Sequence, residues 1–244
     1  LGGKGVSAWR AGGLILALLC LSLLPGCYLL DLLFPPKAAG SGFIVDSAGY
    51  ILTNEHVVHG ALAIEVFLGE RAYSAEVLAA DEQEDLALLK IPAAGLPVVF
   101  LADSTKVELL EHVVAMGFPE PGFGRDLTVA EGQITSIRTN VPGREGKETF
   151  QTDAAIYHGS SGGPLFNLKG EVLGVNYAGL EGSEFYFAIP INDAIPLLER
   201  VPGFHREEMG RQTEILTPAE IVARYRAAVV YIEATIDQSL SPFR

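Results

Sequence analysis

A chain of 244 residues fits one compact domain or two small ones, at roughly 100 to 200 residues per domain, and its 27 glycines and 14 prolines point to many turns and short strands. The formal net charge of −13 repels phosphate backbones and argues against a nucleic-acid partner. The two cysteines, Cys20 and Cys27, both lie near the amino terminus. The body therefore has no disulfide framework, thiolate metal site or cysteine nucleophile.

The chain opens on Leu1, which suggests an alternative start codon or a piece of a longer product. Lys4 and Arg10 then precede an uncharged apolar run over residues 11–30, long enough to cross a bilayer as a helix. Residues 1–34 are read as a signal peptide or a membrane anchor. LLPGC at 23–27 resembles a bacterial lipoprotein signal, which would make Cys27 a lipidated first residue of the mature chain, although Pro25 departs from the small residue usual there. Both readings export the body and tether it to the outer face of a membrane.

FPPKAAG (34–40) reads as a linker, after which short apolar runs alternate with turn signals, as in an all-β sandwich or barrel. FIV (43–45) and YILT (50–53) form a tight hairpin across DSAG. Further strands are expected at AIEVFL (63–68), YSAEVLA (73–79), LALLKI (86–91), HVVAMG (112–117), TVAEGQITSI (128–137), EVLGVNYA (171–178) and EFYFAI (184–189). NDAIPLLER (192–200) is the one helical stretch of the body. In the tail, Thr217-Pro218-Ala219-Glu220 is a capping box with proline at the first helical position. It predicts a helix through IVARYR and then a strand at AVVYIEAT (228–235).

Chemistry concentrates at three places. GSSGGPL (159–165) sets Ser161 among glycines, where a peptide can approach closely and backbone N–H groups can turn inward. His56 follows the YILT strand, Asp85 opens DLALLK, and the order His, Asp, Ser is that of chymotrypsin-like peptidases. A serine hydroxyl needs a base to take its proton, the role assigned to His56; Asp85 would hold the imidazole in the productive tautomer. The amides of Gly159 and Ser161 would bind an oxyanion. No metal or cofactor is required. His59, His112 and His205 are scattered without ligand spacing, His158 reads as a surface loop residue, and Asp153 as structural support.

The segments GSGFIVDSAGYILTNEHVV, DLALLKI, LADSTKVELLEHVVAMGFP, TVAEGQITSI, QTDAAIYHGSSGGPLFNLKGEVLGVN and FAIP together resemble the HtrA (Deg) family of trypsin-like serine peptidases. The resemblance implies two six-stranded antiparallel barrels with His56, Asp85 and Ser161 in the cleft between them. It also implies an exported endopeptidase that cleaves unfolded or misfolded envelope proteins. It puts Ala155 at the base of the primary specificity pocket, with Asn176, Tyr177 and Ala178 lining it, and so suggests small or medium aliphatic side chains. Polypeptides are the expected partners, and self-association stays open. A catalytically silent peptide-binding relative and a membrane-tethered scaffold are the rival readings.

Two departures from the family pattern stand out. Residues 201–244 are too few for the PDZ domain that usually follows the peptidase, here drawn at 38–200. The helix and strand that usually precede GSGF are also missing from that place. The tail over 219–235 resembles this missing segment. It is read as the start of a second domain cut short, or alternatively as a strand folding back into the first barrel.

Overall fold

The computed structural model describes residues 36–118, 124–179, 185–204 and 214–237. The apolar run at 11–30 and Cys27 lie outside them. Among the described residues no helix is long and apolar enough to cross a membrane.

Two antiparallel barrels make up the fold. The first contains β1 (Lys37–Asp46), β2 (Tyr50–Thr53), β3 (Ala61–Leu68), β4 (Arg71–Asp81) and β5 (Leu86–Lys90), and is completed by β13 (Val229–Ile236) from the far end of the chain. Its closed order is β1-β13-β3-β4-β5-β2. The second contains β7 (His112–Gly117), β8 (Thr128–Arg138), β9 (Thr149–Thr152), β10 (Pro164–Asn167), β11 (Glu171–Gly179) and β12 (Tyr186–Pro190). These run β10-β7-β8-β9-β12-β11, and the β10–β11 pairing closes the ring. The two-residue β6 (Phe100–Leu101) adds in parallel to β11.

The near-continuous apolar runs follow from burial on both faces. Successive side chains of a strand point to opposite sides. In β5, Ala87 and Leu89 fill the first barrel, whereas Leu86 and Leu88 join the cluster between the barrels. β13 repeats the pattern with Val230, Ile232 and Ala234 inside and Val229 and Tyr231 between. In β7, Val113 and Ala115 fill the second barrel while Val114 and Met116 face the first. The barrels are thus joined by a shared apolar wall.

Three expectations need correction. Lys37–Gly40, read as linker, are the first residues of β1 and pair with Ile232–Thr235 of β13. Of the two readings of the tail, the separate second domain falls and the strand folding back holds: β13 lies between β1 and β3, pairing with β1 over Val229–Thr235 and with β3 over Tyr231–Ile236. The body drawn at 38–200 therefore omits the strand that closes its first barrel. Sequence reading also passed over β9 and β10, and the short helix α1 (Glu55–Val58). The helical stretch near 192–200 divides into a 3-10 turn, Ile191–Ala194, and α2 (Ile195–Glu199).

The helix α3 (Pro218–Tyr225) carries the predicted capping box, with the Glu220 amide donating to Thr217 Oγ1 (3.3 Å) and the Thr217 amide to Glu220 Oε2 (2.8 Å). α3 rests on the second barrel: Tyr225 stacks on Phe166 with ring centroids 5.0 Å apart, and the Leu216 amide donates to the Leu168 carbonyl (2.8 Å). The tail is thus docked on one barrel and woven into the other.

Candidate active site

The base and acid of the sequence reading meet. His56 lies on α1, one turn beyond β2, and Asp85 on the turn between β4 and β5, which pairs with β2. His56 Nδ1 is 2.7 Å from Asp85 Oδ2, and the His56 backbone N–H donates to Asp85 Oδ1 (2.8 Å). One carboxylate therefore fixes both the ring and the main chain of the histidine. Asp85 itself adopts φ +53°, a left-handed conformation that costs a non-glycine residue about 1–2 kcal/mol. The Asn54 side-chain amide donates to the Asp85 carbonyl (2.9 Å) and holds one side of that conformation.

Ser161 comes from the second barrel, in the loop before β10. The Ser160 amide donates to the Tyr157 carbonyl (2.9 Å), the Gly163 amide to Ser160 (3.0 Å) and the Gly162 amide to Asn176 (2.8 Å). The Gly159 and Ser161 amides have no acceptor among the described residues. The loop is tight because the first barrel presses on it. A Cβ at Gly162 would lie 2.2 Å from the Ser41 carbonyl oxygen, and φ there is +84°, so only glycine fits. The Ser161 hydroxyl donates to the Tyr177 carbonyl (2.8 Å) and not to His56.

The remaining expected positions divide. Tyr177 sits beside the base, its ring edge-on to His56 at 6.4 Å and its hydroxyl 3.4 Å from the Pro142 carbonyl; burial, followed by the Asp85 charge, pushes that hydroxyl above its ordinary value. Asn176 is fully buried, and its amide donates to the carbonyls of Met116 (3.0 Å) and Pro164 (3.4 Å). It supports the serine loop and forms no pocket wall, which corrects the expectation. Ala155 is part-exposed on the loop leading to Ser161. Ala178 pairs with Phe187 across β11 and β12. His158 is exposed, and Asp153 accepts from the Gln133 amide (2.6 Å).

Two contributors were missed from sequence. Ser41 is fully buried; its hydroxyl donates to the Gly159 carbonyl (2.7 Å) and accepts from the Phe118 amide (2.8 Å), while its own amide donates to the Ser161 carbonyl (2.8 Å). Its place within GSGF, between two glycines, was the available signal. Arg144 had none, since it lies in a polar loop of the second barrel, yet it is 1% exposed. Among the described residues one three-member group could hold a metal: Glu55, His59 and Glu82, with donor atoms within 4.8 Å of one another. Glu55 and His59 already pair at 2.7 Å.

The sequence pattern of the trypsin-like peptidase domain matches residues 40–175. A probable periplasmic serine endoprotease described as DegP-like, from Hahella chejuensis, is 42% identical over 172 residues, covering 68% of this chain and 36% of its own. A protein of the same description from Marinomonas sp. is 43% identical over 172 residues with the same coverage. The chain thus spans about a third of the length of these curated relatives. Among solved structures, the HtrA-type protease AlgW with a decapeptide superposes with a TM-score of 0.59 at 36% identity, over 64% of this chain and 49% of its own. AlgW with a tripeptide gives 0.61 at 33% identity, over 70% and 62%.

Proposed function

The chain belongs to the trypsin-like peptidase domain family, in its HtrA (Deg) branch, and from that premise we propose that it hydrolyses internal peptide bonds through an acyl-serine intermediate. The observation that carries the proposal is the His56–Asp85 pair at 2.7 Å on one barrel, facing a serine loop with two uncommitted amides on the other.

Ser161 Oγ leaves the Tyr177 carbonyl by rotation about one bond between staggered wells and attacks the scissile carbonyl carbon as its proton passes to His56 Nε2. Asp85 stays ionised, keeping the Nδ1 proton in place and stabilising the imidazolium. The Gly159 and Ser161 amides take the oxyanion; in a well-studied peptidase, losing one such donor costs about 2.7–4 kcal/mol. His56 then protonates the departing amine, and water repeats the sequence to release the acid and restore the serine.

Unfolded or misfolded polypeptides on the outer face of a bacterial membrane are the proposed substrates, supported by the periplasmic naming of the relatives and by the peptide-bound AlgW structures. Ala155 at the pocket base favours aliphatic side chains over arginine and lysine. Tethering would come from residues 11–30 or from a lipid on Cys27. Labelling with a palmitate analogue that is lost in Cys27→Ser supports the lipid, and an unlabelled wild type rejects it.

A silent binding relative shares one observation, the Ser161 hydroxyl turned to Tyr177. Cleavage of unfolded casein separates the two readings. The wild type is expected to degrade it and Ser161→Ala to leave it intact with an unchanged melting temperature. Equal cleavage by both proteins, or by neither, rejects the proposal.

A further inference from the structure

We infer that Arg144 is a positioning residue: from the second barrel it holds the strained Glu84–Asp85 peptide of the first, and through it aims Asp85 at His56. The inference rests on the peptidase reading for its effect on rate, and on geometry alone for its effect on the His56–Asp85 hydrogen bond.

A guanidinium has five N–H donors in a rigid planar fork, and all five of Arg144 are used. Nε donates to Thr149 Oγ1 (3.2 Å), Nη1 to the Glu84 carbonyl (2.8 Å) and to Glu84 Oε2 (3.4 Å), and Nη2 to the Glu148 carbonyl (3.4 Å) and to Asp193 Oδ2 (2.7 Å). Thr149 and Glu148 belong to its own barrel, and Asp193 lies in the 3-10 turn after β12. The fork is seated on the second barrel and reaches the first only at Glu84. Lys147 of the same loop adds a second grip, 2.9 Å from Glu84 Oε1.

The bond to the Glu84 carbonyl matters because of where that carbonyl stands. The Glu84 carbonyl fixes the peptide plane before Asp85, and the Asp85 carbonyl, held by Asn54 at 2.9 Å, fixes the plane after it. The angle between those planes is set by φ and ψ at Asp85, and its φ of +53° lies in a sparsely populated region for a residue other than glycine. Arg144 and Asn54 pin the two sides. Released on the Arg144 side, Asp85 can relax toward negative φ, which swings its carboxylate away from both the Nδ1 and the main-chain N–H of His56. A lysine cannot substitute, since one ammonium cannot reach acceptors spread around a planar fork. Burial raises the Asp193 carboxyl above its ordinary range, and the guanidinium charge partly offsets it.

The test compares wild type, Arg144→Lys and Asp193→Leu by two readouts. The first is the rate of fluorophosphonate labelling per reactive site, normalised to the number of sites that finally label. A misaligned acid is expected to lower that rate about 10- to 100-fold in Arg144→Lys. A purely structural role would reduce the number of sites and leave the rate per site as it was. The second is the downfield proton resonance of the His56 Nδ1–H bond, absent from His56→Ala, which is expected to be lost or shifted in Arg144→Lys whether or not the protein cleaves anything. Asp193→Leu removes the carboxylate seat while keeping Arg144, and serves in the same way if the lysine variant does not fold. A wild-type rate per site together with an unmoved resonance in a folded variant overturns the inference. A wild type that shows the resonance but never labels overturns the peptidase reading and leaves the positioning role to be decided by the resonance.

Discussion

Ser41 links the two halves of the site at the scale of a single hydroxyl. Ser41→Ala leaves the Gly159 carbonyl and the Phe118 amide, both bonded to that hydroxyl now, without their partner in a buried place. Leaving buried groups unsatisfied costs about 1–3 kcal/mol. Near the middle of that range, the melting temperature should fall by roughly 4–8 °C for a domain of this size. Labelling of Ser161 should slow as well, because Gly159 carries one of the uncommitted amides; an unchanged melting curve contradicts this account of Ser41. His59 gives the stability a pH dependence. The hydrogen bond and charge of Glu55 raise its proton affinity above the ordinary value of 6.5. The pair therefore stabilises fully below that value and loses its contribution as pH rises through the raised one. The pair is exposed, so the effect is about 1 °C. His59→Gln should flatten the fall in melting temperature above pH 6.5 by that amount.

At the scale of elements, most strands were legible because their residues alternate or run apolar between turn signals. HVVAMG and TVAEGQITSI appear as β7 and β8 within a residue of their expected ends. β10, PLFN, was hidden because its residues were read as part of the serine motif, and β9, TFQT, because two threonines and a glutamine look polar although all four residues are buried. Lys37–Gly40 looked like linker for a related reason: small residues after two prolines give no strand signal until a partner strand is known. That partner is β13, 196 positions away at the Lys37–Glu233 ion pair. Residues 37–40 carry no local mark of that pairing, although the tail's likeness to the missing opening segment offered a returning strand as one of two readings. Removing residues 217–244 should therefore open the first barrel, expose the edges of β1 and β3, lower the melting temperature and promote aggregation. Unchanged melting would reject β13 as a barrel strand. A gentler version is Gly170→Ala. The added Cβ would lie 2.8 Å from the Tyr225 ring at a φ of +78°, which should destabilise the docking of α3 and with it the tail.

For the whole molecule, the site exists only where the barrels meet. His56 and Asp85 belong to the first and Ser161 to the second. Among the residues that cross between them are Ser41, to the serine loop, and Arg144 and Lys147, to the turn that carries Asp85. Sequence order brought out His56, Asp85 and Ser161 as the proposed triad, because the residue types and their order are chemical signatures. The crossing contacts stayed hidden, because they depend on how two folded units are set against each other. The reactive serine is the central claim, and its most direct measurement is intact mass after incubation with a fluorophosphonate, followed by peptide mapping. One adduct per chain on Ser161 is expected, absent after heat denaturation and absent from Ser161→Ala and His56→Ala. No adduct on the folded wild type, or an adduct on another residue, would contradict it.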